Sequence, residues 1–504
     1  MAALAYAATA TAMVSQLDRL GVKRQRMTVD SRGLSSGDVF IAIPGSKVDG
    51  RGFVASALAQ GAAAVLREAS GATGKIDDTR VIDVENLSAH LGDIADAFYG
   101  RPSSSMRVTG ITGTNGKTSI ANWLSQAYSA LNIPCGAIGT LGVCLGTKTW
   151  WTNNTTPDAA HMQTILRDLK EAGAQAVAME VSSHALELHR VTGTQFDTVV
   201  FTNLTQDHLD FHGTMEAYGA AKAKLFTDYS AKHRIINADD EFGAQLILKK
   251  LPNTLSYGLH QGDVRGGVMS MNTGGMRLAI SFAGKTVSVE TRLIGRFNAY
   301  NLLAVAATLI ASDVALESVA SILSALTAAP GRMQLVNTVA EAIEPSVYVD
   351  YAHTPDALAK ALDTVRETRP EALTVVFGCG GDRDRSKRPL MGKIAADRAD
   401  HIYVTSDNPR SEQPLAIIDE IVAGVGMDKR NALNSIVLRR DAIRQAIKTA
   451  SAKDAILIAG KGHENYQEIN GVRHPFSDVN EVLLALAIRT ASKQNTNEAR
   501  YVGQ

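Results

Sequence analysis

Apolar residues along this chain come in short runs, each closed by a polar, Gly- or Pro-containing loop and then by a stretch with helical spacing. Runs at 39–43, 63–66 and 81–84 alternate with Ala-rich stretches such as 54–60. The run 107–112 is followed by 119–131, where Ile120, Trp123, Leu124, Ala127, Tyr128 and Leu131 fall at i, i+3, i+4, i+7 spacing and give one apolar stripe. Further runs lie at 174–179, 198–201, 347–349, 373–377, 402–405 and 456–459. Strands buried on both faces read as continuous apolar runs, so the pattern predicts α/β folding around parallel sheets. Between 264 and 293 strict alternation takes over (Met276, Leu278, Ile280, Phe282) and predicts an antiparallel excursion.

With 504 residues the chain is too long for one core. Two punctuated stretches, at 100–105 and 329–332, divide it into blocks 1–105, 106–331 and 332–504. Residues 1–14 are Ala-rich but lack a basic start, and Gln16, Asp18 and Arg19 follow, which predicts an amphipathic helix rather than a signal peptide. No run reaches the roughly 18 apolar residues of a spanning helix, so no membrane insertion is expected. Lys and Arg number 51 against 51 Asp and Glu. Zero net charge argues against a nucleic-acid binder, which needs excess basic residues, while leaving local anion sites open. Cys135, Cys144 and Cys379 are widely spaced, which argues against a disulfide framework and a CxxC zinc site and fits a reducing cytoplasm.

After the run 107–112 comes Gly113-Thr114-Asn115-Gly116-Lys117-Thr118-Ser119, then the amphipathic helix. Such a loop can surround phosphate oxygens with backbone N–H groups. The helix N-terminus adds positive potential, Lys117 a point charge and Thr118 a hydroxyl for Mg²⁺. Ile111 stands where the longer form of the motif has its first glycine, so this is a GxxGKT variant, with ATP or GTP expected. Glu180 closes the run 174–179, and His208 and His212 follow the run 198–201. Strands of one sheet would bring Glu180 and His208 near the phosphates. By themselves the two histidines fit a surface or capping role better than a ligand role. No third His or Cys stands at zinc-ligand spacing.

The motifs GTNGKT at 113–118, EVSSHA at 180–185, NLTQDHLDFHG at 203–213, YGAAK at 218–222, GRFN at 295–298 and DYAH at 350–353 occur in an order that resembles the Mur ligases of peptidoglycan synthesis. The resemblance covers nearly the whole chain. It implies three α/β domains: an N-terminal one for a nucleotide sugar, a central phosphate-loop ATPase with a parallel sheet, and a C-terminal Rossmann-like one. It further implies ATP as co-substrate and two Mg²⁺. Thr118 and Glu180 would help hold one ion, and His208 and a carbamylated Lys222, an N6-carboxylysine derived from CO₂, the other. Lys222, four after Tyr218, matches that lysine and Lys224 does not. Carbamylation needs a neutral amine, which burial or nearby positive charge favours. Asn298 and His353 would lie beside adenine, with Arg332 and Asp350 at ribose or phosphate. From sequence alone Arg332 fits a solvated linker arginine equally well.

Three loops of the last block follow runs: GCGGDRDRSKRP at 378–389, SDNPRSE at 406–412 and GKGHE at 460–464. The third glycine of a dinucleotide fingerprint is replaced by Arg383. The loops offer instead arginines for a carboxylate and acids for an ammonium, which suits a zwitterion. Asp407-Asn408-Pro409-Arg410 resembles the form found in family members that add meso-diaminopimelate. Arg383, Asp407, Asn408, Arg410, Gly460 and Glu464 would read that ligand's distal end. Lysine lacks the second carboxylate and would leave Arg410 unpaired, a loss of about 2 to 5 kcal/mol. In the first block Ser31 and the loop 45–50 resemble contacts to the uridine nucleotide. In the second, Asn154, Thr155, Thr156, Ser182 and Arg190 match positions at the muramoyl peptide, with Leu188 where relatives often carry glutamine.

The resemblance thus implies a cytoplasmic, monomeric ligase with three substrates. Meso-diaminopimelate would be joined to the γ-carboxylate of D-Glu in UDP-N-acetylmuramoyl-L-alanyl-D-glutamate through an acyl phosphate. A folylpolyglutamate-synthetase-like ligase and a phosphate-loop ATPase or kinase are the competing readings.

Overall fold

The computed structural model describes residues 2–45, 48–337 and 344–501. The chain divides into two compact units, one of residues 1–264 with 304–314 and one of 265–303 with 315–504.

The first unit opens with the helix Ala2–Arg19, as the Ala-rich pattern predicts, and a parallel sheet of Met27–Thr28, Val39–Ala42, Ala64–Glu68 and Val81–Val84 in that order. Alternate residues of its middle strands feed two cores. Val39, Ile41, Ala64 and Leu66 face the helices Ala2–Arg19 and Leu87–Phe98, while Phe40, Ala42 and Val65 join Val54 and Ala57 of the helix Val54–Ala59. Burial on both faces is why these strands read as unbroken apolar runs.

A second, larger sheet follows in the same unit, with parallel strands ordered Thr254–Gly258, Ala231–Asn237, Phe196–Phe201, Arg107–Thr112, Ala176–Glu180 and Cys135–Gly139. The strand Arg107–Thr112 is central, pairing Thr112 with Phe201 on one side and Ile111 with Glu180 on the other. Three carboxyl ends therefore stand side by side, the edge at which open α/β sheets hold ligands. An antiparallel hairpin, Gly142–Leu145 and Lys148–Trp150, extends the sheet beyond Cys135–Gly139.

The second unit contains the antiparallel strands predicted between 264 and 293, with Gly275–Phe282 paired to Lys285–Thr291. Its main sheet runs Gln334–Val336, Ser346–Asp350, Ala455–Ala459, Leu373–Phe377, His401–Val404 and Leu433–Ser435, parallel except for the first pair. Helices cover both faces, with Leu358, Leu362, Met391 and Ile421 on one and Ile443, Ile447, Val482 and Leu486 on the other. Among the described residues no helix is long and apolar enough to cross a membrane.

One ion pair lies inside this second core. Arg439, at the start of the helix Arg439–Thr449, grips both oxygens of Asp478 at 2.7 Å and donates to the carbonyl of Ala459 at 2.9 Å, with neither charged side chain exposed. Bidentate geometry offsets a desolvation cost that either partner alone could not meet. Asp478→Ala strands the guanidinium and should destabilise this unit by about 3 to 5 kcal/mol. The shift in urea midpoint checks this, and Arg439→Met added to Asp478→Leu should recover most of the loss.

Candidate active site

In the first unit the phosphate loop is shaped by two glycines and by its neighbours. Gly113 has φ +143°, and a Cβ there would overlap Thr202 Oγ1. Gly116, at φ +93°, precedes the helix Lys117–Ala130, whose first N–H groups have no partner within the helix and open towards the loop. The predicted start at 119 is two residues late, because the left-handed Gly116 lets the helix begin at Lys117. Segment 202–205 staples the loop from outside. Asn203 accepts from the N–H of Asn115 at 3.0 Å and of Thr114 at 2.8 Å, and Thr202 Oγ1 donates to Asn115 O at 2.6 Å. Lys117 Nζ folds back over the loop, donating to the carbonyls of Gly113 and Thr114 at 2.8 Å each. Ser119 is buried one residue beyond Thr118.

Glu180 is buried at the end of its strand, and its carboxylate is held from two sides. Thr118 Oγ1 donates to one oxygen at 3.0 Å, and the N–H of Thr140 to the other at 2.7 Å. Gly139 gives it room, since a Cβ there would overlap Glu180 Oε1. Thr156 donates to the Glu180 carbonyl at 2.9 Å and accepts from Ser182 N, while Thr155 reaches the Thr140 hydroxyl at 3.2 Å. Arg190 donates to Thr156 O at 3.1 Å, and burial lowers its pKa. Thr155, Thr156, Ser182 and Arg190 thus gather beside Glu180, while the Asn154 carbonyl accepts from Thr152 Oγ1 at 3.1 Å. Thr156 is fully buried as a strut, and Ser182 caps the helix Ser183–Glu187. Ser31 lies in the smaller sheet's first turn, and Ser46 and Lys47 lie outside the described residues.

Tyr218 and Lys222 sit one turn apart on the helix Met215–Thr227. The Tyr218 hydroxyl is 3.3 Å from Thr114 Oγ1, and its ring lies 4.2 Å from Lys222 Nζ. Lys222 is buried, and burial first and the charge of Lys117 second hold its ammonium well below the usual lysine range, with Asp207 opposing. A neutral amine at that position is a nucleophile towards CO₂. Lys224 points elsewhere, to Glu187 at 2.8 Å. His208 has φ +52°, is half-exposed, and stands 3.5 Å from Asp207. Its ring is 4.8 Å from that of His184, which is 5.5 Å from His212. The three histidine rings are therefore neighbours. Even so, among the described residues no group of three or more His, Cys, Asp or Glu is placed to hold a metal. Thr118 and Glu180 do offer adjacent oxygen donors, the kind Mg²⁺ takes together with nucleotide oxygens and water.

In the second unit the carboxyl-end loops converge. Asp350 accepts from the N–H groups of Met333 and Ala352, at 2.7 and 2.9 Å, and burial pushes its pKa up against the pull of Arg332. Arg332 lies 5.2 Å from the Tyr351 ring centre, its buried Nε without a hydrogen-bond partner among the described residues, and the His353 ring packs on Tyr351 at 4.6 Å. Asn298 is buried, its amide donating to Ile294 O at 2.8 Å.

Asn408 donates to Glu464 at 2.8 Å, and Gly460, at φ +115°, keeps clear of Asp407, whose Oδ2 would stand 2.7 Å from a Cβ. Arg410, also left-handed, donates to Gly381 O at 2.7 Å and stands 3.9 Å from Glu468. Arg383 is exposed on the neighbouring loop. Asp407, Asn408, Arg410, Gly460 and Glu464 therefore come together, with Arg383 at the rim. Thr140, Lys461 and Glu468 belong to these constellations and were not singled out from the sequence. The rule that found Glu180, a polar residue closing an apolar run, also points to Thr140 after 135–139.

Comparison with known proteins accounts for this pairing of a phosphate loop with a second α/β unit. Residues 25–99 match the Mur ligase family catalytic domain, 111–309 the Mur ligase middle domain, and 331–462 the Mur ligase glutamate ligase domain. The chain belongs to the Mur ligase family. It is 48% identical over 469 residues to a UDP-N-acetylmuramoyl-L-alanyl-D-glutamate–2,6-diaminopimelate ligase of Chromobacterium violaceum, covering 92% of this chain and 94% of that one. A ligase of the same name from Pseudomonas putida is 46% identical, covering 92% and 95%. A solved structure bearing that name superposes with a TM-score of 0.70 at 36% identity, covering 92% of this chain and 95% of that one.

Gly113→Ala tests the loop. Its Cβ would push the loop off Thr202, and displacement of about 1 Å at a reacting centre costs roughly 100-fold in rate. ADP formation should fall on that scale with the circular dichroism unchanged, and Thr202→Ala should return part of it.

Proposed function

We propose that this chain joins meso-2,6-diaminopimelate to the γ-carboxylate of D-Glu in UDP-N-acetylmuramoyl-L-alanyl-D-glutamate, with ATP hydrolysed to ADP and phosphate, in peptidoglycan precursor synthesis. What carries the reading is identity of 46 to 48% over nine-tenths of the chain to ligases of that name. The loop at 407–410, shaped for a zwitterion, supports it. The blocks 1–105, 106–331 and 332–504 would serve the uridine nucleotide, ATP and the incoming amino acid in turn.

The γ-carboxylate attacks the γ-phosphorus of ATP, giving an acyl phosphate and ADP. A neutral amine of diaminopimelate then attacks the acyl carbon, and the tetrahedral intermediate expels phosphate. Gly113, Thr114, Asn115, Gly116 and Ser119 surround the phosphates, and Lys117 leaves its loop carbonyls to offset charge on the transferred group. Thr118 and Glu180 would hold one Mg²⁺, and His208 with carbamylated Lys222 a second. Bound there, Mg²⁺ would draw off negative charge from the phosphates. Carbamylation turns a costly buried cation into an anionic ligand, and the lowered pKa of Lys222 supports it. Asn298 and His353 would flank adenine, and Arg332 and Asp350 would contact ribose or phosphate. Ser31, Asn154, Thr155, Thr156, Ser182 and Arg190 would hold the nucleotide-linked peptide. Catalysis is then mainly positioning and electrostatics. A cytoplasmic monomer goes with this reading, since ATP and a nucleotide-linked sugar are both drawn from the cytoplasm.

Incubation with ATP, Mg²⁺, the UDP-linked dipeptide and a panel of diamino acids, read by product mass, tests the function. The diaminopimelate adduct is the expected product, and ADP release that needs no amino acid would point to an ATPase instead. Depleting bicarbonate should lower wild-type activity reversibly, and Lys222→Ala should be inactive and indifferent to bicarbonate. Undiminished turnover in that variant would rule out the carbamate.

A further inference from the structure

Lys461 is a buried cation in the loop that follows the strand Ala455–Ala459, and no step of the reaction uses it. Its side chain has no exposure to solvent. Its Nζ donates to Asn408 Oδ1 at 3.0 Å and to Glu464 Oε2 at 2.9 Å, with the Tyr466 ring centre 5.5 Å away. Asn408 Nδ2 also donates to Glu464 Oε2, at 2.8 Å, and the N–H of Glu468 donates to Asn408 Oδ1 at 2.9 Å. The three side chains close a ring in which each is hydrogen-bonded to the other two.

Two consequences follow from the chemistry of that ring. An amide can turn over and exchange its oxygen for its nitrogen, but here a turned Asn408 would aim NH₂ at the ammonium of Lys461 and at a backbone N–H. One orientation of Asn408 is therefore enforced. Both donors to Glu464 take Oε2, which fixes the plane of the carboxylate and leaves Oε1 out of the ring, and the charge of Lys461 offsets the carboxylate's own. A ligand ammonium then gains less from bulk attraction and more from matching a fixed oxygen.

We propose that Lys461 is a positioning residue for amino-acid selection, locking Asn408 and Glu464 so that the distal ammonium of the incoming amino acid is read by place rather than by charge alone. This rests on the assignment of the 407–410 and 460–464 loops as the diaminopimelate site.

The test measures kcat and KM for diaminopimelate and for ATP separately, and the preference for diaminopimelate over L-lysine, in Lys461→Met. The expected result is a KM for diaminopimelate raised at least tenfold, a KM for ATP within twofold of wild type, and a preference over L-lysine reduced. A diaminopimelate KM within twofold, or equal rises in both KM values, would overturn the proposal. If Lys461→Met fails to fold, as its melting curve would show, Lys461→Gln keeps a donor without the charge and should give the same split. Failure of both to fold would make Lys461 a stability residue and end the assignment. Wild-type protein that forms no diaminopimelate adduct would instead sink the underlying function, so the two failures are distinguishable.

Discussion

Strand register at the centre of the larger parallel sheet is the constraint on which the phosphate-handling half depends. With Thr112 opposite Phe201 and Ile111 opposite Glu180, three strands end at the same level. Only then can Gly113 lie against Thr202, Thr118 reach the Glu180 carboxylate, and the segment 202–205 staple Thr114 and Asn115. A slip of one residue would turn Glu180 to the opposite face and leave Thr118 without its acceptor. Backbone pairing between strands of buried Val, Ile and Phe thus brings polar atoms to hydrogen-bonding distance.

Two lysines show opposite answers to burial. Lys461 is met directly by Glu464 and Asn408. Lys222 has an aromatic face at 4.2 Å and the repulsion of Lys117, so its charged form is the one disfavoured. The same burial is met by direct hydrogen-bond partners in one loop and by a lowered pKa on one helix.

Much of this was legible in the sequence because the decisive residues are local to their strands. Continuous apolar runs gave away the parallel strands, and the residue after each run gave Gly113, Glu180, Asp350 and Gly460. What escaped depends on strand order. Thr140 meets Glu180 only because Cys135–Gly139 lies beside Ala176–Glu180, a neighbourhood that spacing does not encode. Lys461 looks like any solvated loop lysine until the loops at 408 and 464 are folded over it. Arg439 and Asp478, 39 residues apart, carry no pattern that marks them as a buried pair. Thr156 and Ser182 resemble ligand contacts, and the fold also uses them as strut and helix cap.

The guanidinium of Arg439 has a second attachment, to the carbonyl of Ala459, and the next residue is the left-handed Gly460 that lets Asp407 stand clear. Asp478, the first residue of the helix Asp478–Tyr501, is thereby tied through Arg439 to the end of the strand Ala455–Ala459. Fraying of the helix start would free the arginine, and with it the end of the strand that aims Gly460. Order at the start of this helix is thereby passed to the backbone at Gly460, so the packing of the core and the conformation of the loop edge are set together.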